Sequence, residues 1–300
     1  MNSPHIPVLL DEVLEAFSDL KEGYIIDCTL GYGGHSEELL KQNDSICIIG
    51  NDQDEEALAF SKQRLALYQN RVLFNQGNFK DVFTKYSHLD IKGILADIGV
   101  SSLQLDKLER GFGFESDVLD MRMDKNQILN AAYVVNNYDL SDLEYILKEY
   151  GEIKEYKKTA SLIVKNRPFY SAKELSSMML KHFKKSKIHP ATLLFQAIRI
   201  EVNKELDVLI QLLDSIEQTK PKGCIVAIIS FHSLEDRIVK NYFKKWAKNC
   251  ICPSNAFRCS CGNNNALGKI VTKQPMTAKE SEIKQNPRSR SAKLRIFKFD

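Results

Sequence analysis

The residues with the most chemistry to offer are carboxylates set beside glycines. Ile25-Ile26-Asp27-Cys28-Thr29-Leu30-Gly31-Tyr32-Gly33-Gly34-His35 reads as a strand entering a glycine-rich turn and then a helix. Glycine there lets the backbone turn and approach a bound ligand with no Cβ in the way. A dinucleotide site uses the same geometry to hold pyrophosphate, so the loop alone does not choose its ligand. Asp27, just before the turn, would repel a diphosphate yet pair with a cationic amino group. Asp52 ends the next strand, at roughly the 20-residue offset where a carboxylate accepts hydrogen bonds from ribose hydroxyls. Asp27 and Asp52 with Gly31, Gly33 and Gly34 fit S-adenosylmethionine better than NAD, a dinucleotide or a purely structural turn being the readings left open.

Further candidates follow at strand ends. Phe79, in Gly77-Asn78-Phe79, can stack near an adenine, although taken alone it reads equally as a core aromatic. Asp97 closes the fourth strand, and Ser101, Ser102 and Gln104 occupy the loop after it. Phe231-His232-Ser233-Leu234-Glu235-Asp236-Arg237 follows the fifth strand, where His232 can relay a proton near neutral pH and Arg237 can hold a phosphate. The competing reading of His232 is a structural strand-end histidine. In open parallel sheets ligands lie beyond the carboxyl ends of the strands, and all these residues fall there.

The elements that must position them are short β-branched runs over residues 24–28, 45–51, 71–75, 91–97, 223–230 and 294–299. The first four alternate with helix-like stretches such as 36–42 and 54–68, the pattern of a parallel sheet. No strand is evident between Asp97 and Gly223, which points to a helical insertion. Within it, Ser141-Asp142-Leu143-Glu144 and Ser171-Ala172-Lys173-Glu174 both read as capping boxes. The apolar periodicity over 190–218 predicts one long helix returning to the sheet.

Bulk properties exclude several classes. Three hundred residues, 43% of them hydrophobic, bury a full core without disulfides. No membrane-length apolar run and no signal-peptide pattern occur, so a soluble, cytoplasmic chain is expected. Cys28, Cys47 and Cys224 lie in apolar runs, whereas Cys250, Cys252, Cys259 and Cys261 lie in a loop. The single-residue spacers of that loop differ from ordinary zinc knuckles, and no metal is assigned to it. Residues 237–300 carry 15 of the 42 Lys+Arg but 3 of the 39 Asp+Glu, a net of +12 that suggests a polyanionic partner.

At this point the strings themselves resemble a family. His5-Ile6-Pro7-Val8-Leu9-Leu10, the 27–35 turn, Asp97-Ile98-Gly99-Val100-Ser101-Ser102 with Gln104, Glu109-Arg110-Gly111-Phe112, Leu119-Asp120-Met121-Arg122-Met123, the 231–237 string and Asn286-Pro287-Arg288-Ser289-Arg290-Ser291-Ala292-Lys293-Leu294-Arg295 carry it. In that order they resemble the bacterial 16S ribosomal RNA cytosine-N4 methyltransferase family, dependent on S-adenosylmethionine. The resemblance implies an α/β fold, a Rossmann-like class I methyltransferase sheet with an inserted all-helical domain. The core would span 1–109 and 208–300, and the insertion, 110–207, would recognise substrate. It implies that Gly33, Gly34, His35, Asp52, Phe79, Asp97 and Gln104 contact the cofactor. The implied substrate is a cytidine in the decoding region of 16S ribosomal RNA, free or in the small ribosomal subunit. A homodimer is left open. The D/N-P-P-Y/F string of many DNA amino-methyltransferases is replaced by Asp97-Ile98-Gly99-Val100, so their catalytic detail does not transfer.

Cytosine N4 is a poor nucleophile because its lone pair is delocalised, so it must be aligned with the sulfonium methyl and its protons accepted. Asp97 is the first candidate acceptor, with the hydroxyls of Ser101 and Ser102 next. Arg288, Arg290, Lys293 and Arg295, with Arg237, are the expected RNA phosphate contacts. The alternatives are the same chemistry on another RNA or on DNA, a nicotinamide-dependent oxidoreductase, and a non-catalytic RNA-binding assembly factor.

Overall fold

The structure, a computed structural model, describes residues 6–101, 104–105, 107–184, 189–253 and 255–300. The candidate residue Ser102 lies outside them. Contacts divide the chain into two compact units, Met1–Gly99 with Val208–Asp300, and Val100–Asp207. The first boundary falls earlier than the sequence placed it, because Val100 and Leu105 already pack on the apolar core of the helical unit.

The first unit holds strands β1 (Gly23–Asp27), β2 (Ile46–Asp52), β3 (Val72–Gln76), β4 (Ile91–Asp97), β5 (Ile225–Ser230), β6 (Gly268–Ile270) and β7 (Lys293–Phe299). They form one sheet in the order β3-β2-β1-β4-β5-β7-β6. The first five are mutually parallel, and β7 runs antiparallel between β5 and β6. This is an α/β, Rossmann-like sheet. Its central strands are apolar on both faces because both are covered. Ile26, Ile94, Val226 and Ile228 enter one core, while Ile25, Ile48, Leu95 and Ile229 enter the other.

Strand order reverses between β1 and β4, so the carboxyl ends of these two strands flank the crevice where such sheets bind ligands. The strand missing from the sequence reading is β6. It has three residues and no alternation to detect, and Gly268 sits where a Cβ would come within 2.1 Å of the Lys298 carbonyl. Close approach to β7 therefore needs glycine.

The helices, in chain order, begin with α1 (Leu10–Phe17), α2 (Gly34–Gln42), α3 (Glu55–Arg64) and α4 (Phe79–Lys85). The second unit contributes α5 (Ala131–Asn137), α6 (Leu140–Glu149), α7 (Tyr156–Lys165), α8 (Ala172–His182) and α9 (Thr192–Asn203), followed by α10 (Glu205–Thr219). The first unit closes with α11 (Ser233–Trp246) and α12 (Glu280–Gln285). The Ser171 box forms as expected, with Ser171 and Glu174 each accepting the other's backbone N–H. The Ser141 box does not, since Asp139 precedes α6 and Ser141 lies inside its first turn. The single helix expected over 190–218 is broken at Lys204, which adopts a left-handed φ of 51° between α9 and α10.

Trp246 ends α11 beneath the sheet, 1% exposed, with its ring 5.4 Å from Phe243, 5.3 Å from Phe297 and 5.2 Å from Phe299. Its indole N–H donates to Glu217 Oε2 at 3.0 Å. Trp246→Ala is expected to destabilise the protein by about 3–5 kcal/mol. Urea unfolding followed by circular dichroism checks this, because the variant removes the one tryptophan that fluorescence would report.

Candidate active site

Each strand that faces the crevice ends in an acid. Asp27 closes β1, Asp97 closes β4 and Asp52 closes the neighbouring β2. Hydrogen bonds beyond the strand ends lock these positions together. The Cys28 N–H donates to the Leu95 carbonyl at 2.8 Å, and the Asp97 N–H to Thr29 Oγ1 at 2.7 Å.

The turn between β1 and α2 is built by two glycines with positive φ, 51° at Gly31 and 72° at Gly33. A Cβ on Gly31 would meet nothing nearer than 3.9 Å, so the residue serves conformation and keeps an open side. Its N–H donates to Asp52 Oδ2 at 2.8 Å, and its carbonyl accepts from Ser61 Oγ at 2.6 Å. Gly34 is held by space instead, a Cβ there falling 2.6 Å from Pro7 Cγ. His35 turns its ring inward, with Nε2 2.8 Å from the Val8 carbonyl. The side chain of His35 thus fastens the segment that carries Val8.

The carboxylates differ in how fully they are occupied. Asp27, 2% exposed, accepts from Ser36 Oγ at 2.7 Å and from the Thr29 N–H at 3.3 Å. Burial pushes it up to about 6 despite these two bonds, and the neighbouring Asp52 charge adds to the rise. Asp52 accepts from the Asp54 and Gly31 N–H groups, yet burial also lifts it to about 6. Asp97 has no such help: its Oδ1 is buried without a hydrogen-bond partner among the described residues. Burial first, then the charges of Asp27 and Glu235, push it up to about 8. None of the three forms an ion pair among the described residues. The cluster fits a cationic ligand, whose charge would return the acids to their ionised forms.

A polar chain that the sequence reading passed over continues behind this edge. Asn51 Nδ2 donates to the Cys28 and Gly77 carbonyls at 3.0 and 3.1 Å, and Asn75 Nδ2 donates to Asn51 Oδ1 at 2.6 Å. Lys85 Nζ then donates to Asn75 Oδ1. A polar residue at the end of an otherwise apolar strand was the available signal. Phe79 opens α4 and packs, partly buried, on the core of the sheet, as its core reading has it.

His232 caps α11. Its Nδ1 accepts the Glu235 N–H at 3.4 Å, while Glu235 Oε2 accepts the N–H groups of Phe231 and His232 at 2.8 and 3.2 Å. Nε2 lies 2.9 Å from Glu235 Oε1, but at an angle that makes no hydrogen bond. The imidazole thus caps α11 through Nδ1, while Nε2 makes no hydrogen bond among the described residues. Ser101 and Gln104 belong to the helical unit. The Ser101 N–H donates to Gln104 Oε1 at 3.0 Å, and the Gln104 N–H donates to Ser101 Oγ at 3.3 Å. The Ser101 hydroxyl is thus already an acceptor within its own turn.

The basic tail divides by role. Arg295 is 8% exposed and grips Asp236 with two bonds, of 2.6 and 3.3 Å, so it is a structural ion pair rather than a phosphate contact. Lys293 lies 3.7 Å from the same carboxylate and stays partly exposed. In the turn Pro287–Ser291, Ser289 is buried with Oγ donating to the Asn286 carbonyl, and Asn286 Nδ2 donates to the Ile6 carbonyl at 3.2 Å. Arg288, Arg290 and, on α11, Arg237 point outward and are exposed.

The description of the MraW methylase family matches residues 2–300. The chain is similar to a protein of Aliarcobacter butzleri named ribosomal RNA small subunit methyltransferase H, 67% identical over the whole of both chains. A Nitratiruptor protein of the same name is 62% identical, over 100% of this chain and 99% of that one. A solved rRNA methylase of Streptococcus thermophilus aligns over 98% of each chain with 9% identity and a TM-score of 0.39.

The unpartnered acid at the end of β4 generates a pH prediction. An unfolded Asp97 ionises near 3.8, whereas in the fold it ionises near 8. The native state then holds the extra proton, so stability falls as pH rises through that window. Asp97→Asn is expected to raise the melting temperature of cofactor-free protein at pH 8 by more than at pH 5. Equal gains at the two values would show that Asp97 titrates normally.

Proposed function

The chain belongs to the MraW methylase family, and from that premise we propose that it transfers the methyl group of S-adenosylmethionine to the exocyclic N4 of a cytidine in 16S ribosomal RNA. The observation that carries this reading is Asp97 Oδ1, a buried acceptor with no partner among the described residues, set at the crevice beside an open glycine turn. The printed name of the close relatives, ribosomal RNA small subunit methyltransferase H, supports the substrate class. The decoding region as the target rests on the resemblance of the motifs.

S-adenosylmethionine supplies an electrophilic methyl on a positively charged sulfur. The peptide of the turn with Gly31 and Gly33, together with Asp27 and Asp52, would hold it by charge and by hydrogen bonds at the rim of the sheet. Asp97 would accept an N4–H bond, localising the nitrogen lone pair and receiving the proton that N4 gives up as the N–CH3 bond forms. Alignment is worth about 7–11 kcal/mol of barrier, so one well-placed carboxylate suffices without a stronger base.

Reaching N4 requires an unpaired or extruded nucleotide, at a cost of a few kcal/mol. The helical unit, Val100–Asp207, is assigned to substrate recognition because it presents Tyr133, Tyr145 and Tyr170, each more than half exposed, as flat rings for unstacked bases. Arg237, Arg288 and Arg290 supply cations for phosphates, and Lys293 adds to them at its exposed end.

Nucleoside mass spectrometry of 16S ribosomal RNA from cells with and without this gene tests the assignment. N4-methylation of cytidine is expected to disappear on deletion and to return with the wild-type chain but not with Asp97→Asn. An unchanged pattern removes the substrate. Separately, the double variant Arg288→Ala, Arg290→Ala is expected to bind RNA more weakly and to flatten the plot of log affinity against log salt by about 1.4–1.8. Its affinity for S-adenosylmethionine should be unaffected.

A further inference from the structure

The four cysteines left aside in the sequence reading come together in space. Cys250 and Cys252 lie just beyond α11, and Cys259 and Cys261 return toward β6. Their sulfurs all lie within 4.8 Å of one another. The resolved edges are 3.7 Å for Cys250–Cys259, 3.5 Å for Cys259–Cys261 and 3.9 Å for Cys250–Cys261.

These distances discriminate between the fates open to four thiols. A disulfide needs sulfurs about 2 Å apart, and the edges are far longer. Four thiolates on one tetrahedral zinc, each at about 2.3 Å from the metal, are separated by about 3.8 Å along every edge. The resolved edges scatter around that value. A multi-iron cluster places its thiolates on different metal atoms and would spread them farther apart.

The spacer residues explain how a Cys-x-Cys pair can do what longer spacers do elsewhere. The Ile251 N–H donates to Cys261 Sγ at 3.4 Å, and the Ser260 N–H donates to Cys252 Sγ at 3.3 Å. Each pair thus offers its spacer amide to a sulfur of the opposite pair, a reciprocal arrangement that stabilises thiolate charge from outside the ligand shell.

Among its described residues the loop has no apolar core to order it. Its neck is closed by Asn265, whose side chain donates to the Asn249 and Cys261 carbonyls at 2.9 and 3.1 Å. Beyond the neck no described residue is buried, and Ile251 and Phe257 are 61% and 106% exposed. An apolar core cannot hold such a segment, whereas a metal can.

We propose that Cys250, Cys252, Cys259 and Cys261 form a mononuclear structural zinc site that fixes the 250–261 loop. The site lies outside the methyl-transfer machinery, so its loss and the loss of cofactor binding are separable. Full-length protein purified without chelator and analysed by plasma mass spectrometry is expected to contain one zinc per chain. Cys250→Ser and Cys259→Ser should each lose the metal, while Cys47→Ser, in β2, keeps it. The serine variants should still bind S-adenosylmethionine, which shows that they fold. Should they fail to fold, cobalt(II) exchanged into the wild-type chain gives a second measurement, the visible absorption of a tetrahedral thiolate complex. Protein free of zinc and spectroscopically silent with cobalt, or zinc retained in the Cys250→Ser, Cys259→Ser double variant, would overturn the proposal.

Discussion

The constraint on which this fold turns is the crowding of three carboxylates at one edge of a sheet with no ion-pairing cation among the described residues. Taking a carboxylate out of water is costly, and placing three within reach of each other compounds the cost. The chain meets it unequally. Ser36, Thr29, Gly31 and Asp54 spend their donors on Asp27 and Asp52, whereas Asp97 receives none at Oδ1. Such a residue persists when its cost in the empty protein is recovered in the liganded one. The positive φ values of Gly31 and Gly33 and the packing of Pro7 over Gly34 all hold the turn that frames this acid.

Much of this could be read from residue order alone, and the reasons are physical. The central strands are unbroken apolar runs because both faces are covered, and turn residues bound them clearly. The acids at strand ends stood out because a charge at the end of an apolar run has few structural explanations. What stayed hidden depended on partners distant in the chain. Arg295 looks like an RNA contact in its string, but Asp236 claims it. His232 also serves as a helix cap, in a position where serine, threonine, aspartate or asparagine is the usual signal. Ser141 fits the capping pattern and fails because α6 starts earlier. The convergence of the four cysteines stayed hidden because spacing says nothing about which sulfurs meet across a loop.

The conspicuous strings of the tail therefore mix two kinds of residue. Within Asn286-Pro287-Arg288-Ser289-Arg290 the short residues Asn286 and Ser289 turn inward and build the segment, while the arginines between them turn out. A tight 3-10 turn, with about three residues per revolution, produces that division. The same string can thus specify a fold and present charge without conflict.

Two segments far apart in sequence meet behind the glycine turn. Leu9 N–H donates to Glu282 Oε1 at 2.8 Å, and the Ile6 carbonyl accepts from Asn286, while Pro7 and Val8 between them brace Gly34 and His35. The glycine turn is therefore held from behind by contacts that span 273 residues of chain, so that whatever loosens the 282–286 segment reaches the turn without touching it.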